Sequence, residues 1–124
     1  YCRKSIGGPA ILINEPKIIS PLSKTSPNNP NVTERFHIII AGSELCNGYS
    51  ELNDPIDQRE RFETQEKMRE SGDIEAQMAD YDFVEALEYG MPPTAGQGFS
   101  ERLFSFLMDK PVRETQIFPL MRPK

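Results

Sequence analysis

The apolar and polar positions divide this chain into a strand-like first half and a helical second half. Ala10-Ile-Leu-Ile-Asn-Glu15 is a short apolar run closed by Pro16, and it predicts a buried strand. Residues 20–33 carry Ser, Thr and Asn with Pro21, Pro27 and Pro30, which predicts a loop ordered by packing rather than by ladder bonds. Phe36-His-Ile-Ile-Ile40 predicts a second strand. Ala41-Gly42-Ser43 predicts a hairpin turn, with glycine at the position of positive φ, and Leu45 to Leu52 the returning strand. Asn47, Tyr49 and Glu51 share parity there and so share a face. Glu44 has the opposite parity. Either a bulge near Gly48 or its place at the strand's start brings it round, or it serves another face.

Asp54-Pro55 predicts a helix start, with Asp as N-cap and Pro in the first helical position. This helix, Pro55 to Glu70, has a thin apolar stripe of Ile56, Phe62 and Met68. Its charges from Asp57 to Arg69 predict a solvated face with i,i+4 pairs, and Gly72 stops it. Asp80 caps a second helix through Tyr89, with Phe83, Val84 and Leu87 inward and Gly90 at its end. A third helix runs from about Ser100 to Met108, with Phe99, Leu103, Phe106 and Leu107 as its core face. Asp109-Lys110-Pro111 ends it. A short helical turn and then Ile117-Phe-Pro-Leu120, a final buried strand or extended tail, complete the pattern. Antiparallel strands followed by helices define an α+β class and disfavour a doubly wound sheet.

Composition narrows this further. At 124 residues the chain predicts a single domain, residues 1–124, and Tyr1 in place of Met suggests a piece of something longer. The net charge of −5 argues against a broad nucleic-acid footprint on this segment, although other parts of a longer protein could hold such a partner. No run predicts a membrane span or a signal peptide. Cys2 and Cys46 have no scaffold or metal spacing and suggest a reducing, cytoplasmic setting. Asn31-Val-Thr33 matches a glycosylation acceptor and is taken as chance.

Candidate chemistry centres on Glu44 and Glu51. An acid on a half-buried strand is costly unless it is paired or binds something. One acid could serve a metal–phosphate complex and the other an amine, or both could be ordinary salt-bridge residues. Asn47 and Tyr49 beside Glu51 suit an amino-acid ammonium group with an alkyl stem, or a hydrogen-bonded core tyrosine. Ala95-Gly-Gln-Gly98 before a helix resembles a phosphate cradle, because glycine lets a ligand approach the backbone closely. Arg102 stands in the first turn of the third helix, where the helix dipole disfavours a cation. That placement points to an anionic partner, either Glu44 or a phosphate. His37 is the only histidine, which disfavours a zinc site or a Ser-His-Asp triad; a satisfied structural role suits it.

Four blocks then combine in order: Thr33-Glu-Arg-Phe36, Ala41 through Phe62, Asp82-Phe-Val-Glu-Ala-Leu-Glu-Tyr-Gly-Met-Pro-Pro-Thr94 and Phe118-Pro-Leu-Met-Arg-Pro123. With Ile19-Ser-Pro-Leu22, they resemble the class II lysine–tRNA ligase family over nearly the whole chain. The resemblance implies part of a class II synthetase-like antiparallel sheet flanked by helices. It implies Mg²⁺ on the ATP phosphates held by Glu44, and lysine bound by Asn47, Tyr49 and Glu51, with Glu51 taking the ε-ammonium. Arg102 becomes the arginine of the third class II motif, on the ATP γ-phosphate, and the Gly96–Gly98 loop passes close to the adenylate. His37 stands where the family usually has a second metal-binding glutamate, and the loop before Arg102 is one residue short.

The first and second class II motifs and the anticodon-binding barrel have no counterpart here. The resemblance therefore implies the C-terminal part of a catalytic domain, inactive by itself. In the intact enzyme it would activate lysine with ATP and transfer it to tRNA, with a homodimer among the assemblies the resemblance allows. Two alternatives stand beside it: a relative that lysylates a protein, and a non-catalytic interaction module.

Overall fold

A computed structural model describes residues 5–118. Strand β1 (Ala10–Ile13) leads through a 3-10 turn (Lys17–Ile19) into β2 (Thr25–Ser26), β3 (Asn29–Thr33), β4 (Arg35–Ile40) and β5 (Ser43–Ser50). Helices α1 (Pro55–Glu70) and α2 (Tyr81–Glu88) follow, then β6 (Ala95–Phe99), α3 (Glu101–Met108) and α4 (Val112–Thr115). One sheet has the order β1-β4-β5-β6, and β2 pairs antiparallel with β3 in a second. The described residues divide into two compact units, one of residues 5–12, 37–47 and 97–118, the other of residues 13–36 and 48–96.

The β4–β5 hairpin turns through two residues, Ala41 at φ 50° and Gly42 at φ 74°. Positive φ at both central positions is what a type I′ turn requires, and its twist matches that of the flanking strands. The stretch expected as loop over residues 20–33 contains the β2–β3 hairpin instead. Pro27 and Asn28 form its turn and Pro30 lies on β3. Proline suits the turn's first central position because its φ is preset.

In the unit of residues 13–36 and 48–96, α1 begins as the sequence predicts. The Asp54 carboxylate accepts from the Ile56 and Asp57 amides at 2.9 and 3.3 Å, and Pro55 follows it. It ends at Gly72, φ 104°, where the Asp73 amide donates to Met68 O and the Gly72 amide to Arg69 O. That is the paired closure of a Schellman motif, which glycine makes possible.

The expected stripe does not hold. Ile56 is exposed, Met68 is only half-buried, and the buried face is Gln58, Arg61, Phe62 and Gln65. Only Phe62 is apolar, and its ring meets Phe83 at 6.4 Å between centroids. Val84 and Leu87 of α2 are buried as predicted, while Phe83 is half-buried. Burying each large apolar side chain stabilises the unit by about 1.5–3 kcal/mol.

The other unit buries Ile39, Cys46 and His37. Two apolar elements read from the sequence as core are exposed. β1 is the outermost strand of its sheet, and Ile11 is 67% accessible, with Leu12 and Ile13 also exposed. Helix α3 has no buried residue; Phe99, Phe106 and Leu107 are exposed, with Leu103 half-buried. Periodicity marks the apolar face of an element, and burial needs a second surface laid on that face. Among the described residues the short helix α4 packs beside α3 without burying any of its side chains. Ile117 and Phe118 are exposed, and the remainder of the expected final strand lies outside the described residues.

Candidate functional site

Glu51 follows directly on β5. Its amide donates to Thr94 O at 2.9 Å, and it bridges Ser23 in antiparallel fashion. The flanking bonds, Lys24 N to Ser50 O and Leu52 N to Leu22 O, are 2.8 and 2.9 Å. The backbone is thus held from both sides. One carboxylate oxygen lies close to Gly96: a Cβ placed there would stand 3.6 Å from Oε1. No cation among the described residues forms an ion pair with Glu51, and burial pushes its carboxyl above the ordinary value of 4.5.

Tyr49 precedes it by two residues on the same parity. Burial raises its phenol, the Glu51 charge raises it further, and the Arg35 charge lowers it. Arg35 has its guanidinium carbon 5.5 Å from the Tyr49 ring centroid. It is anchored by Glu15 at 3.0 Å and by the Ser20 hydroxyl, also at 3.0 Å, and that hydroxyl donates to Glu15 in turn. Such a cation over an aromatic face contributes roughly 0.5–2 kcal/mol and fixes the ring.

Arg61 supports the same segment from α1. Nε and Nη2 donate to the two oxygens of Asp57 at 2.9 and 2.8 Å. Nη1 donates to Ser20 O and Ser23 O at 3.3 and 2.7 Å, and Nη2 also donates to the Thr25 hydroxyl at 2.7 Å. Charges on α1 expected to be solvated therefore clamp residues 20–25, the segment that bridges Glu51. Hydrogen bonding to Arg61 is the main cause that holds the Asp57 carboxyl below its ordinary value; a bond from Lys17 and both positive charges add to this, and burial opposes it. The i,i+4 spacing of Asp57 and Arg61 was visible in the sequence. Nothing local announced the roles of Arg35, Glu15 or Ser20.

In the other unit, Glu44 and Asn47 come together. Asn47 Nδ2 donates to Glu44 Oε1 at 3.0 Å, so the Asn47 amide is turned to the acid of opposite parity. Glu44 Oε2 lies 3.3 Å from Nδ1 of His37, whose side chain is 8% accessible. Arg102 opens α3, and its amide donates to the capping Ser100 hydroxyl at 3.3 Å. Its side chain is exposed and makes no ion pair among the described residues, so the expected bridge to Glu44 is not formed. The Ala95–Gly98 segment, expected as a loop, belongs to strand β6 and is exposed throughout. Glycine lacks a side chain to pack and is tolerated on such an open stretch. Gly98 has open space where a Cβ would stand.

Magnesium takes oxygen ligands in a near-octahedral shell. Here a carboxylate oxygen and an imidazole nitrogen converge, and no three His, Cys, Asp or Glu gather among the described residues. Two donors are fewer than such a shell needs, so the described residues do not by themselves make up a metal site. No helix among the described residues is long and apolar enough to cross a membrane.

The described residues form an α+β pattern with an acid-bearing hairpin and an arginine in the first turn of α3. The family model of class II tRNA synthetases (D, K and N) matches residues 3–122, and the chain belongs to that family. Among curated relatives it is similar to the lysine–tRNA ligase of Thermotoga maritima, 54% identical over 118 residues, 94% of this chain and 24% of that protein. The lysine–tRNA ligase of Thermosipho africanus is 56% identical over 117 residues, covering 93% of the chain and 23% of the relative. That of Porphyromonas gingivalis is 50% identical over 125 residues, covering 99% and 22%. The chain therefore spans about a quarter of the length of these relatives.

Proposed function

We propose that this chain is the lysine-recognising part of a lysine–tRNA ligase, acting in the cytoplasm on lysine, ATP and tRNA. One observation carries the proposal: Glu51 is a partly desolvated carboxylate, fixed by backbone bonds on both sides, beside Tyr49 and without a protein cation among the described residues. A desolvated acid of this kind favours a cationic ligand. The ε-ammonium of lysine supplies one, with the alkyl stem along the tyrosine.

In this assignment Tyr49 and Glu51 bind lysine, while the Asn47 amide, which the sequence also offered to lysine, is turned to Glu44. Glu44 would supply an oxygen ligand to Mg²⁺, and the ion would neutralise phosphate charge. Arg102 meets the γ-phosphate from the opening of α3, its exposed guanidinium free for a bidentate contact. Gly96 and Gly98 leave room for the adenylate. The lysine carboxylate oxygen attacks the α-phosphate and pyrophosphate leaves. The lysyl group then passes from the adenylate to the terminal ribose hydroxyl of tRNA, releasing AMP. Positioned charge accounts for these steps without a proton-transfer dyad.

Calorimetry with lysine and with norleucine, which keeps the stem and the α-amine but lacks the ε-amine, tests the assignment. Lysine is expected to bind at least about 30-fold more tightly, and Glu51→Gln to abolish the difference, since truncating one partner of a desolvated charge pair costs roughly 2–5 kcal/mol. Equal affinities for the two ligands would overturn it.

A further inference from the structure

We infer that the buried Ser23 hydroxyl positions Glu51, donating a hydrogen bond to one carboxylate oxygen while the other receives the lysine ammonium. The inference deepens the lysine assignment above and rests on it. Ser23 and Glu51 form an isolated antiparallel bridge. The bonds that frame it, Lys24 N to Ser50 O and Leu52 N to Leu22 O, lie one residue to either side. Ser23 and Glu51 thus exchange no main-chain bond with each other. They form the closer of the two kinds of antiparallel pair, with Cα atoms about 4.5 Å apart. Residues directly opposite project to one face, with Cβ atoms about 4.5–5.5 Å apart. The Glu51 carboxylate lies two carbons beyond its Cβ, so turning about those bonds brings an oxygen to the serine hydroxyl.

That hydroxyl has its bonding capacity unused. Ser23 is 1% accessible, and its Oγ has no hydrogen-bond partner among the described residues. Burying a hydroxyl in that condition is unfavourable, so alanine at this position should fold at least as well. A bond from a hydroxyl to a carboxylate is charge-assisted and stronger than one between neutral groups. The base of the side chain is fixed, because Arg61 Nη1 donates to Ser23 O at 2.7 Å. Ser23 is too buried to touch lysine itself and acts through Glu51. One other buried atom nearby lacks a partner, Gln58 Oε1 on α1, whose Nε2 donates to Pro21 O at 3.2 Å. A bond from Ser23 to that oxygen would serve the fold and not the ligand, and the two roles differ in their consequences.

Ser23→Ala and Ser23→Cys, the latter close to serine in shape with a much weaker donor, are compared with the unsubstituted chain by calorimetry. Both are expected to weaken lysine binding about tenfold or more, the loss that follows from removing a bond to a charged group. Norleucine binding should stay unchanged, and the urea midpoint of Ser23→Ala should be equal or higher.

Unchanged lysine affinity would overturn the inference, and a lower urea midpoint beside it would give the hydroxyl to Gln58. Equal losses for lysine and norleucine would also overturn it, since they mark a disturbed pocket. A lysine preference abolished by Glu51→Gln and untouched by Ser23→Ala would remove the role of Ser23 alone. No lysine preference in the unsubstituted chain would remove that role together with the lysine assignment.

Discussion

Replacing Arg61 with methionine keeps most of the aliphatic stem and removes every donor, so it isolates the contribution of the guanidinium. The side chain is 5% accessible, and its donors reach a carboxylate, two main-chain carbonyls and a hydroxyl. Hydrogen bonds to a charged group contribute about 1.5–3 kcal/mol each and do not sum. Removing one partner of a buried ion pair costs about 3–5 kcal/mol, because the other charge stays behind. Asp57 retains Lys17 at 3.0 Å, which places Arg61→Met toward the lower end of that range. With a urea slope of about 2 kcal/mol per molar, the unfolding midpoint should fall by roughly 1.5–2 M.

The acid limb offers a second readout. The folded-state value of Asp57 is depressed, so its contribution is present above the ordinary value of 3.8 and is lost as pH falls through the folded value. Arg61→Met should flatten that limb. A loss under about 1 kcal/mol with an unchanged acid limb would refute the clamp.

Two further outcomes follow from the same geometry. The Glu51 carboxyl is raised above 4.5, and an ammonium ligand needs it ionised. Lysine affinity should therefore weaken as pH falls through a midpoint above that value, and a flat profile in the unsubstituted chain would sink the pairing. Ala41 holds φ 50°, a region that alanine pays about 1 kcal/mol to enter and asparagine enters more readily. Ala41→Asn should raise stability by roughly 0.5–1 kcal/mol in chemical denaturation, and a loss would show that the turn tolerates only a small side chain.

Local chemistry was the most legible part of this fold. Asp54-Pro55, Asp80, Gly72 and Gly90 each act within a few residues, and each ends or starts its helix where the sequence indicates. The hairpin at Ala41-Gly42 and the parity of Tyr49 and Glu51 were legible for the same reason. Burial was not. The runs at Ile11–Ile13 and along α3 have the right period, but period cannot tell whether another surface lies on top. The inward face of α1 was misread because long polar side chains there end on carbonyl oxygens more than thirty residues away. Within the site, the acids and Arg102 stand out by residue type. The contact of Asn47 with Glu44, and the Glu15–Arg35–Tyr49 stack, depend on pairings that no spacing encodes.

The bonds from α1 to the segment before β2 also distribute mutational tolerance unevenly. Gln58 donates to Pro21 O, Arg61 to Ser20 O and Ser23 O, and Gln65 to Ile18 O. Every one of these acceptors is main chain, and a carbonyl oxygen is the same atom whichever residue bears it. At Ile18, Pro21 and Ser23 the recognised feature is the path of the backbone, so side chains that preserve that path leave the interface readable to the helix. The donors have no such latitude, because length, hybridisation and charge all belong to the side chain. Drift along this contact can therefore accumulate on the loop and is barred on the helix.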